Sequence, residues 1–418
     1  MAPPAASAVA DRLTTLRSGL AAIPERLLLA HARGEVLFVT GAGISQPAGL
    51  PDFRGLVVGI YARLDAALHT VIAPIPRGVS DPSAIDTSSL TDPQAAEVRR
   101  FVMGDYDVAL GMLERRMDGK ATSNSSVRQT VASILRDRAC EPAAVHRALM
   151  QLADRGGVTT VVTTNFDTLL EEALPGHSVQ TYALGGIPRP GRSSEFSGVL
   201  HIHGALDRNP ARTSDLIVTD QDFGEFYLRR RAVPDFIYDA ARLFHLVLVG
   251  YSANDPPMRY LLNAVAADGT RFDDLKERFT FFGTNSFDPV VLEDWKGRGI
   301  TPIPYDAVDG HVALRHTLEC WASLSAIDGR RSLIDSEIRR IVKLPREDAS
   351  DADRDLFDHL FRRGNANERV QLAGAARKAK ADLGWINAVA NVLAEDDRRL
   401  CGRTGFRSIS ANDQTSPS

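Results

Sequence analysis

An α/β fold, a Rossmann-like doubly wound and mostly parallel sheet, is what this sequence predicts. Three observations predict it. A short apolar run at Val36–Val39 leads into glycines at 41 and 43. Further apolar runs of four to six residues recur down the chain and alternate with segments of helical spacing. Each polar cluster that stands out falls at the carboxyl end of such a run, where open parallel sheets bind their ligands.

The elements follow in order. Residues 11–23 read as a helix, with Asp11 as cap and Leu13, Leu16, Leu20 and Ile23 on one stripe. Pro24 stops it and opens a second helix that runs to Gly34, so residues 1–34 form an N-terminal helical piece. The strand at Val36 comes next, bracketed by Glu35 and Thr40, and the two glycines turn the chain at its end. A helix opening just after such a turn would present unpaired N–H groups and a positive dipole end, which suit a pyrophosphate. Taken alone, Gly-x-Gly is as often a plain tight connection.

Residues 56–157 carry no convincing strand. Leu56–Leu68, Glu97–Arg116 and Val127–Ala139 have helical spacing and make a helical insertion of about 56–140. Ser80–Pro93, rich in Ser, Asp and Pro, reads as a mobile loop. A helix from Glu141 carries His146, and the strand Thr159–Thr164 follows Gly156 and Gly157. More strands are expected at Val179–Ala183, Val199–His203, Leu216–Thr219, Leu246–Gly250, Phe279–Gly283 and Ile300–Tyr305. Helices separate several of them, at Thr168–Ala173, Gln221–Arg231, Asp235–Phe244, Pro257–Val265 and Pro289–Gly297. The helix His311–Ala326 ends a domain of 35–327. A helical region, 328–400, then shows two apolar stripes: Leu356, Phe357, Leu360 and Phe361, and Trp385, Ile386, Val389 and Leu393. The polar tail from 401 to 418 reads as disordered.

Composition narrows the class. At 418 residues the chain has room for one large domain and a smaller one. Its 44% apolar and 24% charged residues are ordinary for a globular protein, and a net charge of −4 gives no basic surface for nucleic acid. Arg229–Arg231 is the compact basic run, read as the solvated face of a helix. Cys140, Cys320 and Cys401 lie far apart, which argues against a disulfide framework and for a reducing compartment. The first residues lack the basic start and apolar core of a leader, and no apolar run approaches the ~20 residues of a membrane span. A cytoplasmic protein without membrane contact is expected.

The polar clusters carry the chemistry. They are Gly41-Ala42-Gly43-Ile44-Ser45, Pro51-Asp52-Phe53-Arg54-Gly55, Thr163-Thr164-Asn165-Phe166-Asp167, His203-Gly204 and Gly250-Tyr251-Ser252. In this order they resemble the sirtuin family of NAD-consuming enzymes, in its bacterial sirtuin-like branch. The resemblance spans about 35–325, and the first two motifs match the family letter for letter. It implies that NAD lies against Gly41, Ala42, Gly43, Ser45, Asp52, Phe53, Arg54, Thr164, Gly250, Ser252 and Asn285. It assigns Asn165 to orienting the ribose and the attacking water, Asp167 to the nicotinamide carboxamide, and His203 to the general base, for which an imidazole titrates in a suitable range. Plainer readings stand beside these. Asn165 and Asp167 also suit a capping pair, Ser252 and Asn285 suit turns, and His146 and His201 read as buried structural histidines.

The chain departs from the family at three places. The family's Thr-Gln-Asn-Ile-Asp has Thr164 and Phe166 in place of its Gln and Ile. Protein-deacylating members carry two Cys-x-x-Cys pairs after the His, whereas no cysteine lies between His203 and Gly250 here, so no thiolate zinc site can form there. The stretch Gly250–Tyr260 resembles the bacterial branch, whose members are NAD hydrolases of antiviral defence. The expectation is therefore an NAD glycohydrolase without zinc or other metal, releasing nicotinamide and ADP-ribose and depleting NAD during phage infection. A homo-oligomer, an activating partner or a phage protein is expected to control it. The alternatives are a protein deacylase or ADP-ribosyltransferase, and a non-catalytic NAD or ADP-ribose sensor.

Overall fold

The structure is a computed structural model that describes residues 12–120, 124–137, 140–174, 176, 178–192, 194–206, 216–251, 256–269, 274–284, 289–325 and 331–404. The chain divides into two compact units. One combines Met1–Gly19, Ile23–Glu25 and Gly329–Ser418; the other holds Leu20–Ala22 and Arg26–Asp328.

The N-terminus departs from expectation. In place of a helix over 11–23 there are two short strands, β1 (Leu13–Thr15) and β2 (Ala22–Pro24), which form their own sheet. Thr14 and Thr15 are β-branched, and Gly19 takes a positive φ of 81° that reverses the chain before a helix can propagate. Helix α1 (Glu25–Ala32) follows as expected.

The larger unit is built on seven parallel strands: β3 (Val36–Thr40), β4 (Thr160–Thr163), β5 (Gln180–Tyr182), β6 (Gly198–His201), β7 (His245–Val249), β8 (Arg278–Gly283) and β9 (Ile300–Tyr305). Their order across the sheet is β5-β6-β4-β3-β7-β8-β9, with every neighbouring pair parallel. From β3 the chain moves to β4, skips to β5 at the edge, comes back to β6 between them, and then crosses to β7 on the other side of β3. The switch point therefore lies between the carboxyl ends of β3 and β7, where doubly wound sheets open a crevice.

All five residues of β3 are buried, as a central strand covered on both faces requires. Leu37 and Val39 share a core with Val162, Leu200, Leu246 and Leu248. On the opposite face Phe38 meets Trp321 and His31, with ring centres 5.8 Å and 6.1 Å away. Between β3 and β4 stand α2 (Phe53–Leu64), α3 (Ala66–Ile72), α4 (Asp92–Val102), α5 (Tyr106–Asp118), α6 (Ser126–Arg136) and α7 (Ala144–Ala153). The first two of the three expected helices are split, whereas Val127–Ala139 forms as the single helix α6. Asp65 stops α2 and caps α3, accepting from Leu68 N at 3.0 Å, and Gly104 at φ 82° separates α4 from α5. Arg116 holds these helices together from within, paired with Glu97 and Asp65 at 2.7 Å each.

After β6 the expected strand Leu216–Thr219 joins no ladder. Among the described residues one backbone bond, from Ile217 N to His203 O at 2.8 Å, ties it to the chain just past β6. The expected helix at Thr168–Ala173 shrinks to one 3₁₀ turn, Glu171–Ala173. Helix α8 (Asp220–Phe223) runs directly into a π-helical turn, Gly224–Arg229, and then α9 (Ala232–Leu243). Helices α10 (Pro256–Gly269), α11 (Pro289–Gly297) and α12 (Val308–Leu324) complete the winding. Phe236, Ile237 and Ala240 of α9 and Leu261, Leu262 and Val265 of α10 cover the Leu37 face of the sheet.

In the other unit, α13 (Arg331–Ile341), α14 (Asp351–Arg363), α15 (Ala366–Lys378) and α16 (Leu383–Thr404) pack together. Leu356, Phe357, Leu360 and Phe361 are buried as their stripe predicts. The stripe of α16 is rotated: Trp385, Ala388 and Val392 are buried, while Ile386 and Leu393 face outward. Trp385 sets that rotation, stacking 4.6 Å from Phe357 and donating to Leu344 O at 2.9 Å. Among the described residues no helix is long and apolar enough to cross a membrane.

Candidate functional site

Register assembles the motifs. Thr40 pairs with Thr163 on one side and Val249 on the other, and Thr163 pairs with His201. These four residues form one row across the sheet, so the residues that follow them, Gly41, Thr164, Ile202 and Gly250, leave it at the same level. Thr164 is tied there by its N–H to Thr40 O at 3.0 Å.

The glycines are needed by backbone contact at the switch point. A Cβ on Gly41 would lie 2.6 Å from Tyr251 Cδ2 and 2.8 Å from the Gly250 oxygen; one on Gly43 would lie 2.8 Å from the same oxygen. Gly43 N donates to that oxygen at 2.8 Å, and Gly250 itself holds φ 62°. Two chain segments thus interlock with no room for side chains. The expected helix after this turn does not form. Ala42–Ile44 and Gln46–Ala48 are single 3₁₀ turns, interrupted by Pro47 and by Gly49 at φ 91°, and the first α-helix opens only at Phe53. Anion affinity here would come from exposed amides rather than a helix dipole. The N–H of Ala42 donates to no acceptor among the described residues.

Ser45 is the hub of the polar cluster. Asn165 Nδ2 donates to its Oγ at 3.0 Å, and His146 Nε2 approaches the same oxygen at 3.3 Å. Ala143 N donates to His146 Nδ1 at 3.1 Å, so the ring's own proton sits on Nε2 and points at Ser45. Burial holds His146 neutral, lowering its pKa to about 4. With two donors on its oxygen, Ser45 is left to direct its hydroxyl proton toward the Asp167 carboxylate, an interaction that favours the charged carboxylate. Burial raises the Asp167 pKa, opposed by that bond and by the nearby His201. His146, expected to be structural, therefore belongs to the cluster, and the capping pair Asn165 and Asp167 reaches back to the glycine turn. Asp167 also accepts from Leu169 N at 3.3 Å, closing a local turn, but no helix opens there for the pair to cap.

The two histidines of β6 differ. His201 is fully buried, with Nδ1 2.7 Å from Asn165 O and Nε2 2.9 Å from Glu171 Oε1. Both partners accept, which calls for protons on both nitrogens. Burial disfavours that charge, but Glu171 outweighs it and the pKa is raised. His201 thus braces the backbone of Asn165. His203 Nε2 lies 2.7 Å from Tyr227 Oη, and the ring meets the edge of Phe223 with centres 5.4 Å apart. Burial lowers its pKa to about 3. No side-chain bond joins it to the Ser45 cluster among the described residues.

Asp52 and Arg54 stand at the start of α2. Asp52 caps it, accepting from Gly55 N at 2.8 Å, and pairs with Arg77 at 2.6 Å. Arg54 bonds Ile75 O and lies 5.1 Å over the Phe101 ring, while Phe53 packs edge-on to Tyr106. Arg54, Arg77, Phe101 and Tyr106 line a polar cavity of about 150 Å³. Ser252 and Asn285 lie outside the described residues. Tyr227 and Arg77 are the site partners that motif reading misses. Tyr227 depends on a π turn that apolar spacing does not reveal, and Arg77 lies in a loop without a recognisable pattern.

Residues 159–303 match the model of the SIR2-like domain. That SIR2-like stretch holds Asn165, Asp167, His201, His203 and Tyr227; the glycine turn precedes it. The uncharacterized protein y4cA of Sinorhizobium fredii (strain NBRC 101917 / NGR234) is 32% identical over 367 residues, which take in 81% of this chain. This chain spans 28% of the length of that relative. Solved structures with similarity include one on the structural basis for the mechanism and regulation of Sir2 enzymes, at 14% identity and a TM-score of 0.37, covering 72% of this chain and 98% of that one. Another is a Sir2 homologue–NAD complex, at 17% identity and a TM-score of 0.34, covering 73% and 98%.

Proposed function

We propose that the chain is an NAD+ glycohydrolase. The bond between nicotinamide N1 and ribose C1′ breaks, the oxygen of water bonds to C1′, and the water proton passes to a base; nicotinamide and ADP-ribose leave. Ribose gains positive charge as the bond lengthens, as in glycoside cleavage, so positioning of water and ribose dominates the barrier. The observation that carries the proposal is the Ser45 hub, which fixes Asn165 and Asp167 beside the glycine turn at the switch point.

In this reading the Ala42 amide and the turn around Gly41, Gly43 and Gly250 receive the pyrophosphate, and Asp52, Phe53, Arg54 and Thr164 border the cofactor. Ser252 and Asn285 are proposed for the adenosine half on the resemblance alone. Asn165 orients water and ribose, Asp167 meets the carboxamide, and His203 takes the proton. A cysteine-free stretch from His203 to Gly250 supports hydrolysis over peptide deacylation, since the zinc module of deacylases has no ligands there. NAD depletion in antiphage defence, in the cytoplasm, extends the proposal on the resemblance of Gly250–Tyr260. An off-switch, by self-association, an activating partner or a phage protein, belongs to it, because an unregulated hydrolase drains its own cell.

One observation favours a second reading, a sensor that binds NAD without cleaving it: His203 is buried and already bonded to Tyr227. Turnover in ¹⁸O-water separates the two. Hydrolysis puts one ¹⁸O on ADP-ribose without any added peptide. Bound, intact NAD supports the sensor, and product formed only with an acylated peptide supports a deacylase.

A further inference from the structure

The segment after β6 converges on one ring. Thr219 and Asp222 cap α8: Asp222 Oδ2 accepts from Val218 N at 3.0 Å, Thr219 N at 2.9 Å and Thr219 Oγ1 at 3.0 Å. Arg128 of α6, only 4% exposed, clamps this cap, bonding Asp222 and the Leu216 carbonyl. From that anchor the helix widens into the π turn Gly224–Arg229, a device that re-aims side chains and is frequent at functional sites. Its outcome here is that Phe223 and Tyr227, four residues apart, both reach His203. Phe223 meets the imidazole edge-on, and Tyr227, 3% exposed, places Oη 2.7 Å from Nε2. The His203 carbonyl is held as well, by Ile217 N. Nδ1 takes no bond from the described residues, so it is the ring nitrogen left for a substrate.

We infer that Tyr227 is a positioning residue for the reaction, fixing the tautomer of His203 with the proton on Nε2 so that Nδ1 is the atom that accepts a proton. This deepens the hydrolase reading and rests on it. Proton uptake at Nδ1 creates an imidazolium in a buried aromatic nook, where charge is costly without an acceptor. Tyr227 Oη is that acceptor: Nε2–H donates to it before and after transfer, and the bond strengthens once the ring is charged. No other group is consumed, and the proton leaves later to water.

Three measurements on the full chain test this. Tyr227→Phe should lower kcat about tenfold at nearly constant KM and move the acid limb of kcat/KM to lower pH, since the charged imidazole loses its acceptor. Ile237→Val, in the core that Phe223 and Tyr227 share, is the packing control and should lower Tm without moving that limb. Nitrogen NMR of labelled histidine in the unsubstituted protein should find Nε2 protonated and Nδ1 bare, whether or not Tyr227→Phe folds. A protonated Nδ1 overturns the inference. So does a folded Tyr227→Phe protein with parental kcat and pH profile while His203→Ala is inactive. If His203→Ala itself releases nicotinamide at the parental rate, the base assignment falls first, and the role of Tyr227 with it.

Discussion

The Ser45 cluster and the His203 nook lie past the ends of neighbouring strands, yet they are built from opposite materials. Around Ser45 every partner is polar: His146, Asn165 and Asp167 share one hydroxyl. Around His203 the walls are Phe223 and Tyr227, and among the described residues one hydroxyl, that of Tyr227, bonds the ring. The first arrangement fixes dipoles and suits holding a substrate still. The second keeps an imidazole neutral and dry, ready to take a proton but poor at keeping it. Under the proposed hydrolysis the contrast suits one region to orientation and the other to proton transfer, although both are read from short motifs of similar appearance.

Substitutions can break that contrast. His203→Ala should lower nicotinamide release by about 10²–10⁴-fold, read by chromatography, with NAD affinity by calorimetry nearly unchanged. Asn165→Ala should cost about 10²-fold or more, again with NAD bound. The double variant should lose little more than the worse single one, because both residues serve one transition state. Losses that multiply would mean that the two regions act in separate steps.

Acid sharpens the comparison. His146 and His203 have folded pKa values lowered to about 4 and about 3, so the unfolded chain binds more protons below pH 6.5. Stability should therefore fall as pH drops from 6.5, by about 2 kcal/mol per histidine at pH 5, in thermal or urea unfolding. His201 has the opposite sign. Its raised folded pKa gives stability that is complete below 6.5 and is lost as pH rises through the folded value. Replacing His203 by Gln should remove its share of the acid slope.

Smaller effects are expected farther out. Asp52→Ala removes the cap of α2 and the partner of Arg77, which should cost about 1 kcal/mol of stability and weaken NAD retention. Zinc should have no effect: elemental analysis of purified protein should find none, and a chelator should leave activity intact. One zinc per chain would reverse that expectation.

Much of this architecture was legible in the sequence because its signals are local. Six of the seven strands of the main sheet were announced by runs such as Leu246–Gly250 and Ile300–Tyr305, and the seventh by Val36–Val39. What was hidden depends on tertiary contact or backbone detail. Gly19 converts an amphipathic 11–23 pattern into two strands, and Asp65 and Gly104 cut helices whose apolar spacing continues across the break. Leu216–Thr219 is apolar enough for a strand, but among the described residues only the Ile217 N–H bonds the chain just past β6. In the site, the motif residues were readable while their supports were not. His146 looks like any half-buried helix histidine until Ser45 is placed beside it, and Tyr227 reaches His203 only through a π turn.

The most direct measurement is nicotinamide release by the purified full chain given NAD+ alone, beside its Asn165→Ala variant, with NAD binding followed in parallel. The account predicts equal amounts of nicotinamide and ADP-ribose from the unsubstituted chain, and a variant that binds NAD but scarcely turns it over. A folded, NAD-binding chain that releases no nicotinamide without a peptide, or an Asn165→Ala variant that hydrolyses at the parental rate, would contradict it.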